Sequence, residues 1–442
     1  MKEIIKKILF YDKIYDFIKT SFVYQAWKRL MGNIANTFYG YPSKDFFVIG
    51  VTGTNGKTTT VNLIHKMLND KVGPTVMVST AVIKIGDKEI INEKKMTSLD
   101  IFDLQSILST AKSKGCKIAV LEVSSHGMDQ YRFEGVDFDF AILTNLTHDH
   151  LDYHGNFNNY INAKKKLFKY VLRNNKSNKY AVFPADDKIG RTWSDDMAFD
   201  KKITFGVNNS AILRAENIVE EIDSTSFDII YLGKKFHMKT FLPGTYNVYN
   251  ILSALSVAVH IGLDMEQAVA SLSGFKGVSG RMEAVKLNGV NYFIDFAHSP
   301  DALDKTLAFL NTIKKDKKLI VVFGAPGNRD KLKRPDMGSI AYSYADVLIA
   351  TDDDPDTENR IQILNQLTEK IRDLNTPNKE LYIIPERELA IKFATEQAKE
   401  GDFVMFAGKG HETVQLTNFG RKKWNDKDIL ENLINTSTKV EG

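Results

Sequence analysis

The sequence has 442 residues, of which 43% are hydrophobic and 26% charged, a composition typical of a soluble protein with two or three globular domains. The net charge of +4 gives no general indication of nucleic-acid binding. No apolar run is long enough for a transmembrane helix and no signal-peptide pattern is present, so we expect a cytoplasmic protein. The single cysteine, Cys116, excludes an intrachain disulfide and a cysteine-built zinc site, which leaves oxygen and imidazole as ligands for a metal.

Residues 1–44 are predicted to form a helical N-terminal extension that ends at Tyr41-Pro42. Apolar residues recur at near-helical spacing through residues 1–30. The charged residues of this stretch are Lys2, Lys6, Lys7, Lys13, Lys19, Lys28 and Arg29 against Glu3, Asp12 and Asp16. Such a basic amphipathic helix either makes a peripheral contact with an anionic membrane or packs on the body of the protein.

Strands and helices alternate from residue 45 onward, which predicts an α/β protein with parallel sheets. We expect a central ATP-binding domain at 45–279, built on a P-loop-type parallel sheet, and a C-terminal Rossmann-like α/β domain at 280–442. The glycines of 274–280 indicate a linker and a cleft that closes on ligands. The predicted strands are 46–51, 117–123, 140–143, 292–296, 318–323, 347–350, 381–384 and 403–406, with further β structure in 179–243.

A phosphate-binding loop follows the first predicted strand. Its residues are Gly53, Thr54, Asn55, Gly56, Lys57, Thr58 and Thr59. Glycines allow backbone N–H groups to surround phosphate oxygens, Lys57 can reach the β- and γ-phosphates, and the Thr58 hydroxyl is placed for Mg²⁺ at a helix N-terminus. The spacing is more compact than that of a Walker loop.

Polar clusters follow two further predicted strands, where an α/β sheet places its ligands. Glu122 ends the first of these strands and is suited to Mg²⁺. The second strand is followed by His148, His150 and His154 among aspartates; these residues fit no spacing of a structural zinc site. Lys164 lies ten residues further on, in a run whose spacing alone indicates a basic helix face.

The ordered motifs at these positions resemble those of the Mur ligases, ATP-dependent enzymes that form amide bonds in peptidoglycan synthesis, and most of all the MurE type. Such a run of ordered motifs is far more specific than any one of them. The motifs are 53–58, 122–127, 145–155, 160–168, 244–250, 280–283, 295–301, 327–335 and 407–412.

The resemblance implies that ATP phosphorylates a substrate carboxylate and that an amino acid attacks the acyl phosphate. Lys57 and Thr58 would hold phosphates and one Mg²⁺, and Glu122 and His150 would complete the metal ligands. Lys164 matches a lysine that family members carbamylate to hold a second magnesium. The positions matching contacts to ATP are Asn247, Asn250, Arg281, Asp295 and His298. The positions matching contacts to the acceptor are Thr97, Ser98, Ser124, Gln130 and Arg132.

Two differences between this sequence and the Mur ligase pattern concern the acceptor substrate. Members of the family carry a further domain before the phosphate loop that grips the UDP end of the acceptor, whereas Gly53 stands near the start of this sequence. The identity of the acceptor is therefore open, and a different or lipid-linked carboxylate is an alternative to a muramoyl peptide. The family's Thr-Thr-Pro is Thr97-Ser98-Leu99 here, which removes the backbone restriction of proline.

A third departure concerns the amino acid. Enzymes that add diaminopimelate carry Asp-Asn-Pro-Arg, where this sequence has Asp353-Asp354-Pro355-Asp356. An aspartate at the arginine position favours an ammonium over a carboxylate, which predicts L-lysine or L-ornithine. The residues expected at the amino acid are Asp354, Asp356, Gly408 and Glu412. A purely local interpretation is also open, in which Asp354 caps a helix that begins at Pro355.

Three other functions fit parts of the sequence. Folylpolyglutamate synthases share the fold but match the motifs at 124–132 and 295–301 less well, and the MurT type carries a cysteine cluster that is absent here. A nucleotide-binding scaffold without turnover would not need Lys57, Glu122, His150 and Lys164 together. We therefore expect a monomeric ligase for small-molecule substrates.

Overall fold

The structure is a computed structural model that describes residues 22–440 apart from 93, 95, 178 and 375, with side chains up to 435. Residues 1–21 of the helical extension predicted at 1–44 lie outside this range. None of the described helices is both long and apolar enough to cross a membrane.

The first part of the chain forms an eleven-stranded sheet with the order β11-β10-β9-β8-β7-β6-β1-β5-β2-β3-β4. Strand β1 lies at its centre and pairs in parallel with both β5 and β6. The strands are Phe47–Thr52 (β1), Thr75–Val78 (β2), Val82–Ile85 (β3), Lys88–Ile91 (β4), Ile118–Glu122 (β5), Phe140–Leu143 (β6), Tyr180–Pro184 (β7), Lys201–Gly206 (β8), Leu213–Glu220 (β9), Thr225–Tyr231 (β10) and Lys234–Thr240 (β11).

Helices cover both faces of this sheet, as the alternation of side chains along a strand requires. Ile49 and Val51 of β1 face one apolar cluster, whereas Val48 faces the other. The helices of this part are Phe22–Phe38 (α1), Lys57–Lys71 (α2), Ile101–Ser113 (α3), Ser125–Asp129 (α4), Leu151–His154 (α5), Phe157–Arg173 (α6), Lys188–Asp196 (α7), Thr245–Ile261 (α8) and Met265–Ser273 (α9). Helices α2, α8 and α9 pack on the first face, and α3, α6 and α7 on the second.

The second part forms a six-stranded sheet with the order β12-β13-β17-β14-β15-β16, in which only β12 is antiparallel to its neighbour. Its strands are Glu283–Leu287 (β12), Val290–Asp295 (β13), Leu319–Phe323 (β14), Val347–Ala350 (β15), Glu380–Ile383 (β16) and Phe403–Ala407 (β17). A separate hairpin is formed by Val414–Thr417 (β18) and Gly420–Lys423 (β19). The helices are Pro300–Ile313 (α10), Arg334–Tyr344 (α11), Arg360–Thr368 (α12), Arg387–Gln397 (α13) and Asp426–Val440 (α14).

The α/β class and every predicted strand are confirmed, with boundaries that shift by at most two residues. The predicted β structure in 179–243 extends the first sheet as β7 to β11. The helix start proposed at Pro355 is wrong. Residues 355–358 form a turn, and α12 begins at Arg360, where the Asn359 side chain caps it.

Both sheets direct the carboxyl ends of their parallel strands to a common region. In the first sheet these ends are Thr52, Glu122 and Leu143. Polar residues that follow these strand ends lie outside the apolar core, where they can bind ligands. The fold thereby brings together segments that are far apart in the sequence.

Candidate active site

A cavity of about 630 Å³ lies where the two halves of the chain meet. Its walls include the phosphate loop and Glu122 from the first half and Arg281, Asp295 and Asp354 from the second. This mixed lining means that a ligand in the cavity contacts both sheets.

The phosphate loop joins β1 to α2 in a conformation that requires glycine. Gly56 has a φ of 82°, and a Cβ at this position would lie against the Asn250 side chain. The loop is braced from the neighbouring strand end, because Asn145 accepts a hydrogen bond of 3.0 Å from the Asn55 backbone N–H. Lys57 donates to the Thr54 carbonyl at 2.7 Å. Burial lowers the pKa of Lys57, and Glu122 opposes this shift.

Glu122 is buried at the end of β5 and accepts hydrogen bonds of 3.1 Å from the Thr58 hydroxyl at each carboxylate oxygen. Thr80 donates to the same carboxylate from its N–H at 2.8 Å and from its hydroxyl at 3.0 Å. Thr80 was not predicted from the sequence, although its place just after β2 is a strand-end signal of the kind that identified Glu122.

His150 lies in the left-handed region with a φ of 53° and precedes α5. Its Nε2 is 3.5 Å from Asp149, and its ring centroid is 4.8 Å from that of His126. Removal from water lowers the pKa of His150 well below its usual value, and the Asp149 carboxylate opposes this shift. The ring is therefore neutral at pH 7, the form in which imidazole binds a metal.

Lys164 is buried in α6 just behind the phosphate loop, and its Nζ donates to the Gly53 carbonyl at 2.6 Å. Burial, reinforced by the charge of Lys57, lowers the pKa of this amine well below its usual value. A neutral amine is a nucleophile, whereas an ammonium is not. Lys164 and Gly53 are not among the residues lining the cavity.

The donor set on this side of the cavity fits a magnesium ion. Thr58 and Glu122 offer a hydroxyl and a carboxylate, which are hard oxygen ligands, and His150 adds a neutral imidazole. All three residues line the cavity next to Lys57.

The residues outside the phosphate loop that are expected to contact ATP all line the same cavity. Asn250 donates to Asn247 at 3.0 Å, and the Arg281 guanidinium lies 4.5 Å above the Phe296 ring. Burial lowers the pKa of His298 to about 4, with a further contribution from the charge of Lys333. Within the described part of the chain, the buried Arg281 Nε makes no hydrogen bond. The lining residues of this group are Asn247, Asn250, Arg281, Asp295 and His298.

The residues expected at the acceptor lie together near the end of β5. Ser98 and Ser124 share a hydrogen bond of 2.9 Å, and Arg132 donates to the Ser98 carbonyl at 2.6 Å. Thr97, Ser98, Ser124 and Arg132 line the cavity, whereas Gln130 does not. Gln130 accepts a hydrogen bond of 2.6 Å from Arg132 and so orients the guanidinium.

Three of the four residues expected at the amino acid reach the cavity: Asp354, Gly408 and Glu412. Asp356 lies outside the lining, with a φ of 51°, and accepts a hydrogen bond of 3.1 Å from Asn328.

Lys409 was not singled out from the sequence, although it lies inside a quoted motif. Its ammonium is buried 2.6 Å from Asp354 and 2.5 Å from Glu412. Burial opposes its charge, but these carboxylates and Asp353 raise the pKa of Lys409. Asp353 also lines the cavity, and burial raises the pKa of its carboxyl to about 7. Because three acidic side chains surround one lysine, this wall of the cavity keeps negative charge.

Two family models match the chain in consecutive segments. Residues 51–258 match the Mur ligase middle domain, and residues 280–410 match the Mur ligase glutamate ligase domain. The chain belongs to the Mur ligase family. Mur ligases are ATP-dependent enzymes that form amide bonds, and this ligase carries their phosphate loop and strand-end residues on the expected sheets.

Relatives and solved structures agree with this assignment. The ligase is 36% identical over 420 residues to the UDP-N-acetylmuramoyl-L-alanyl-D-glutamate--2,6-diaminopimelate ligase of Fusobacterium nucleatum. This alignment covers 94% of this chain and 82% of the relative. A solved structure of an enzyme with this name matches with a TM-score of 0.62 and 32% identity, over 89% of this chain and 79% of that one. The MurF ligase of Thermotoga maritima in complex with ADP shares the fold, with a TM-score of 0.67 and 19% identity, over 92% of this chain and 85% of that one.

Proposed function

We propose that this Mur ligase adds an amino acid to the carboxylate of a muramoyl-peptide precursor, as a MurE-type enzyme, with ATP and Mg²⁺. One observation carries the proposal. A single cavity joins the phosphate loop and Glu122 of the first sheet to Arg281 and the acidic wall of the second. The acceptor, the phosphoryl donor and the amino acid can therefore meet in one place.

The first step transfers the γ-phosphoryl group to the acceptor carboxylate and releases ADP. Lys57 and the loop N–H groups hold the phosphates, and Arg281 neutralises charge from the opposite wall. Thr58, Glu122 and His150 would hold Mg²⁺, which supplies positive charge to the phosphoryl oxygens. The family's use of ATP is shown by the match, whereas Mg²⁺ rests on this donor set.

Lys164 is proposed to carry a carbamate. Its neutral amine can attack CO₂, forming an N–C bond and releasing a proton, and the product replaces a cation by a carboxylate-like group. The supporting observation is the lowered pKa of an amine buried behind the phosphate loop. The carbamate oxygens would then be ligands for a second magnesium ion.

The second step joins the amino acid to the acyl phosphate. The neutral amine attacks the carbonyl carbon, the C–N bond forms, and the C–O bond to phosphate breaks, while the nitrogen loses one proton, which balances the charge of the released phosphate. Arg132, held by Gln130 and the Ser98 carbonyl, provides a fixed positive charge for the acceptor. Positioning of this kind accounts for much of the rate in such reactions.

The amino acid is proposed to be basic, L-lysine or L-ornithine. Asp353, Asp354 and Glu412 surround a single lysine, and the remaining negative charge favours an incoming side-chain ammonium. Asp356, which suggested this specificity in the sequence, does not line the cavity and instead accepts a hydrogen bond from Asn328, so the proposal depends on the other three acids.

Diaminopimelate is the second candidate, for two reasons. The relatives described above are named as diaminopimelate ligases. Arg329 and Arg421 line the cavity together with the acidic wall, and either guanidinium could pair with a second carboxylate.

A substrate matrix tests the proposal. Protein, ATP and Mg²⁺ are incubated with muramoyl dipeptides, with and without the UDP group or a lipid, and with lysine, ornithine or diaminopimelate. ADP release and product mass are measured, with Lys57→Ala as the inactive control. Faster turnover with lysine or ornithine supports the proposal, and faster turnover with diaminopimelate overturns the basic specificity. ATP binding with no amide product from any pair would favour a nucleotide-binding scaffold.

A further inference from the structure

Helix α1 presents a row of apolar side chains to solvent. The row consists of Val23, Trp27, Leu30, Ile34 and Phe38, which are between 46% and 76% exposed. Their spacing of three or four residues places them on one face of the helix. A contiguous row of exposed apolar side chains of this length is typical of an interaction site.

The opposite face of α1 is fixed to the body of the protein. Gly32, Ala35 and Asn36 are buried, and a Cβ at Gly32 would lie 2.7 Å from the Glu134 side chain. The Asn36 carbonyl accepts a hydrogen bond of 2.8 Å from the Tyr41 N–H. The helix therefore packs on the body of the protein by this face and directs its apolar row outward.

The charges of α1 are all positive. The helix contains Lys28 and Arg29 and no acidic residue. By helical geometry these two residues lie on opposite sides of the row, each about a third of a turn away. The Lys28 Nζ lies 5.1 Å above the Trp27 ring. Residues 1–30 as a whole carry seven basic and three acidic side chains, so their excess is +4.

We propose that the α1 row docks on an anionic membrane surface. An interfacial helix buries a row of Trp, Leu, Ile and Phe at the boundary of headgroups and acyl chains, with lysine and arginine at its margins. Tryptophan favours the same depth, because its ring is amphipathic. Such a helix lies on the membrane rather than across it. Contact of this kind would hold the protein at a membrane surface without inserting the chain.

The test is flotation of the full chain with vesicles of phosphatidylcholine containing about 30% phosphatidylglycerol. We expect binding that weakens at least tenfold when NaCl is raised from about 0.1 M to about 0.5 M. The variant Leu30→Glu/Ile34→Glu should lose binding at least tenfold. The matched control Val219→Glu/Leu232→Glu changes two other exposed apolar residues and should bind as the wild type does.

Two control measurements accompany the vesicle-binding assay. Circular dichroism and ADP release with soluble substrates should be unchanged in both variants, which separates this proposal from the ligase assignment. Absence of vesicle binding by the wild type overturns the proposal. Concentration-dependent dimerisation that the Leu30→Glu/Ile34→Glu variant abolishes, without vesicle binding, also overturns it and assigns the row to a second copy of the chain.

Discussion

Arg281 donates a hydrogen bond of 3.2 Å from Nη2 to the Thr58 hydroxyl. Thr58 lies in the first turn of α2, next to the phosphate loop, whereas Arg281 precedes the first strand of the second sheet. Gly280, next to Arg281, has a φ of 65°, and a Cβ there would lie against the His411 backbone. The contact therefore links the two halves of the ligase where ATP phosphates are proposed to bind.

Replacement Arg281→Lys should lower kcat/KM for ATP by roughly 100-fold, equivalent to about 2.7 kcal/mol of transition-state stabilisation. Lysine keeps the charge but loses the planar fork that reaches Thr58 and the ligand together. ADP release at varied ATP measures the effect. The control Arg173→Lys, at the exposed end of α6, should retain wild-type activity; an unaffected Arg281→Lys enzyme would contradict the assigned role.

Replacement Lys164→Ala should abolish ligation while the fold remains intact, because it removes the amine proposed to carry the carbamate. Loss of one buried hydrogen bond to Gly53 should lower the free energy of unfolding by only about 1–3 kcal/mol. Product mass and circular dichroism check both parts. Lys169→Ala, on the exposed side of the same helix, is the matched control, and unchanged turnover of Lys164→Ala would refute the role.

The Arg387 and Asp426 side chains form a fully buried pair with bonds of 2.9 and 2.7 Å. Arg387→Met should lower the free energy of unfolding by about 3–5 kcal/mol, because Asp426 is left as an unpaired buried charge. Urea unfolding measures the change. Lys370→Met breaks an exposed pair with Asp336 and should cost less than about 1 kcal/mol; equal losses in the two variants would contradict the prediction.

The second sheet should lose stability in acid through Glu358. Hydrogen bonds from Arg334, opposed by burial, lower the pKa of this carboxyl from 4.5 to about 2. Because the folded pKa lies below the unfolded one, the contribution is complete above pH 4.5 and is lost as pH falls toward 2. After a discount for solvent screening it amounts to about 2 kcal/mol.

Unfolding by urea at several pH values between 2 and 6 measures this contribution, with Glu358→Gln as the comparison. The variant should show a weaker fall of stability in this window, since it has no proton to gain. If the free energy of unfolding falls equally with pH in the two proteins, Glu358 does not contribute to the loss of stability in acid.

Much of the fold followed from local patterns. Apolar runs of four to six residues between helical segments located β1, β5, β6 and the parallel strands of the second sheet, because buried strands carry few polar residues. Shorter or exposed strands such as β4 and β19 were not located, since an exposed strand has no continuous apolar signal. The alternative interpretation of a helix beginning at Pro355 was wrong, since α12 begins at Arg360 with Asn359 as its cap, and Asp354 pairs with Lys409.

The sequence by itself predicted the residues of the ATP side: the phosphate loop and Glu122 from motifs next to strand ends, and the roles of His150 and Lys164 from the resemblance to Mur ligases. Only the tertiary structure decided which residues share a cavity. It brought Thr80 to Glu122 and Arg281 to Thr58, buried Lys409 among three acids, and left Asp356 outside the lining. The reason is physical, because motifs record neighbours along a strand or turn, whereas charge pairing and access depend on how two sheets meet.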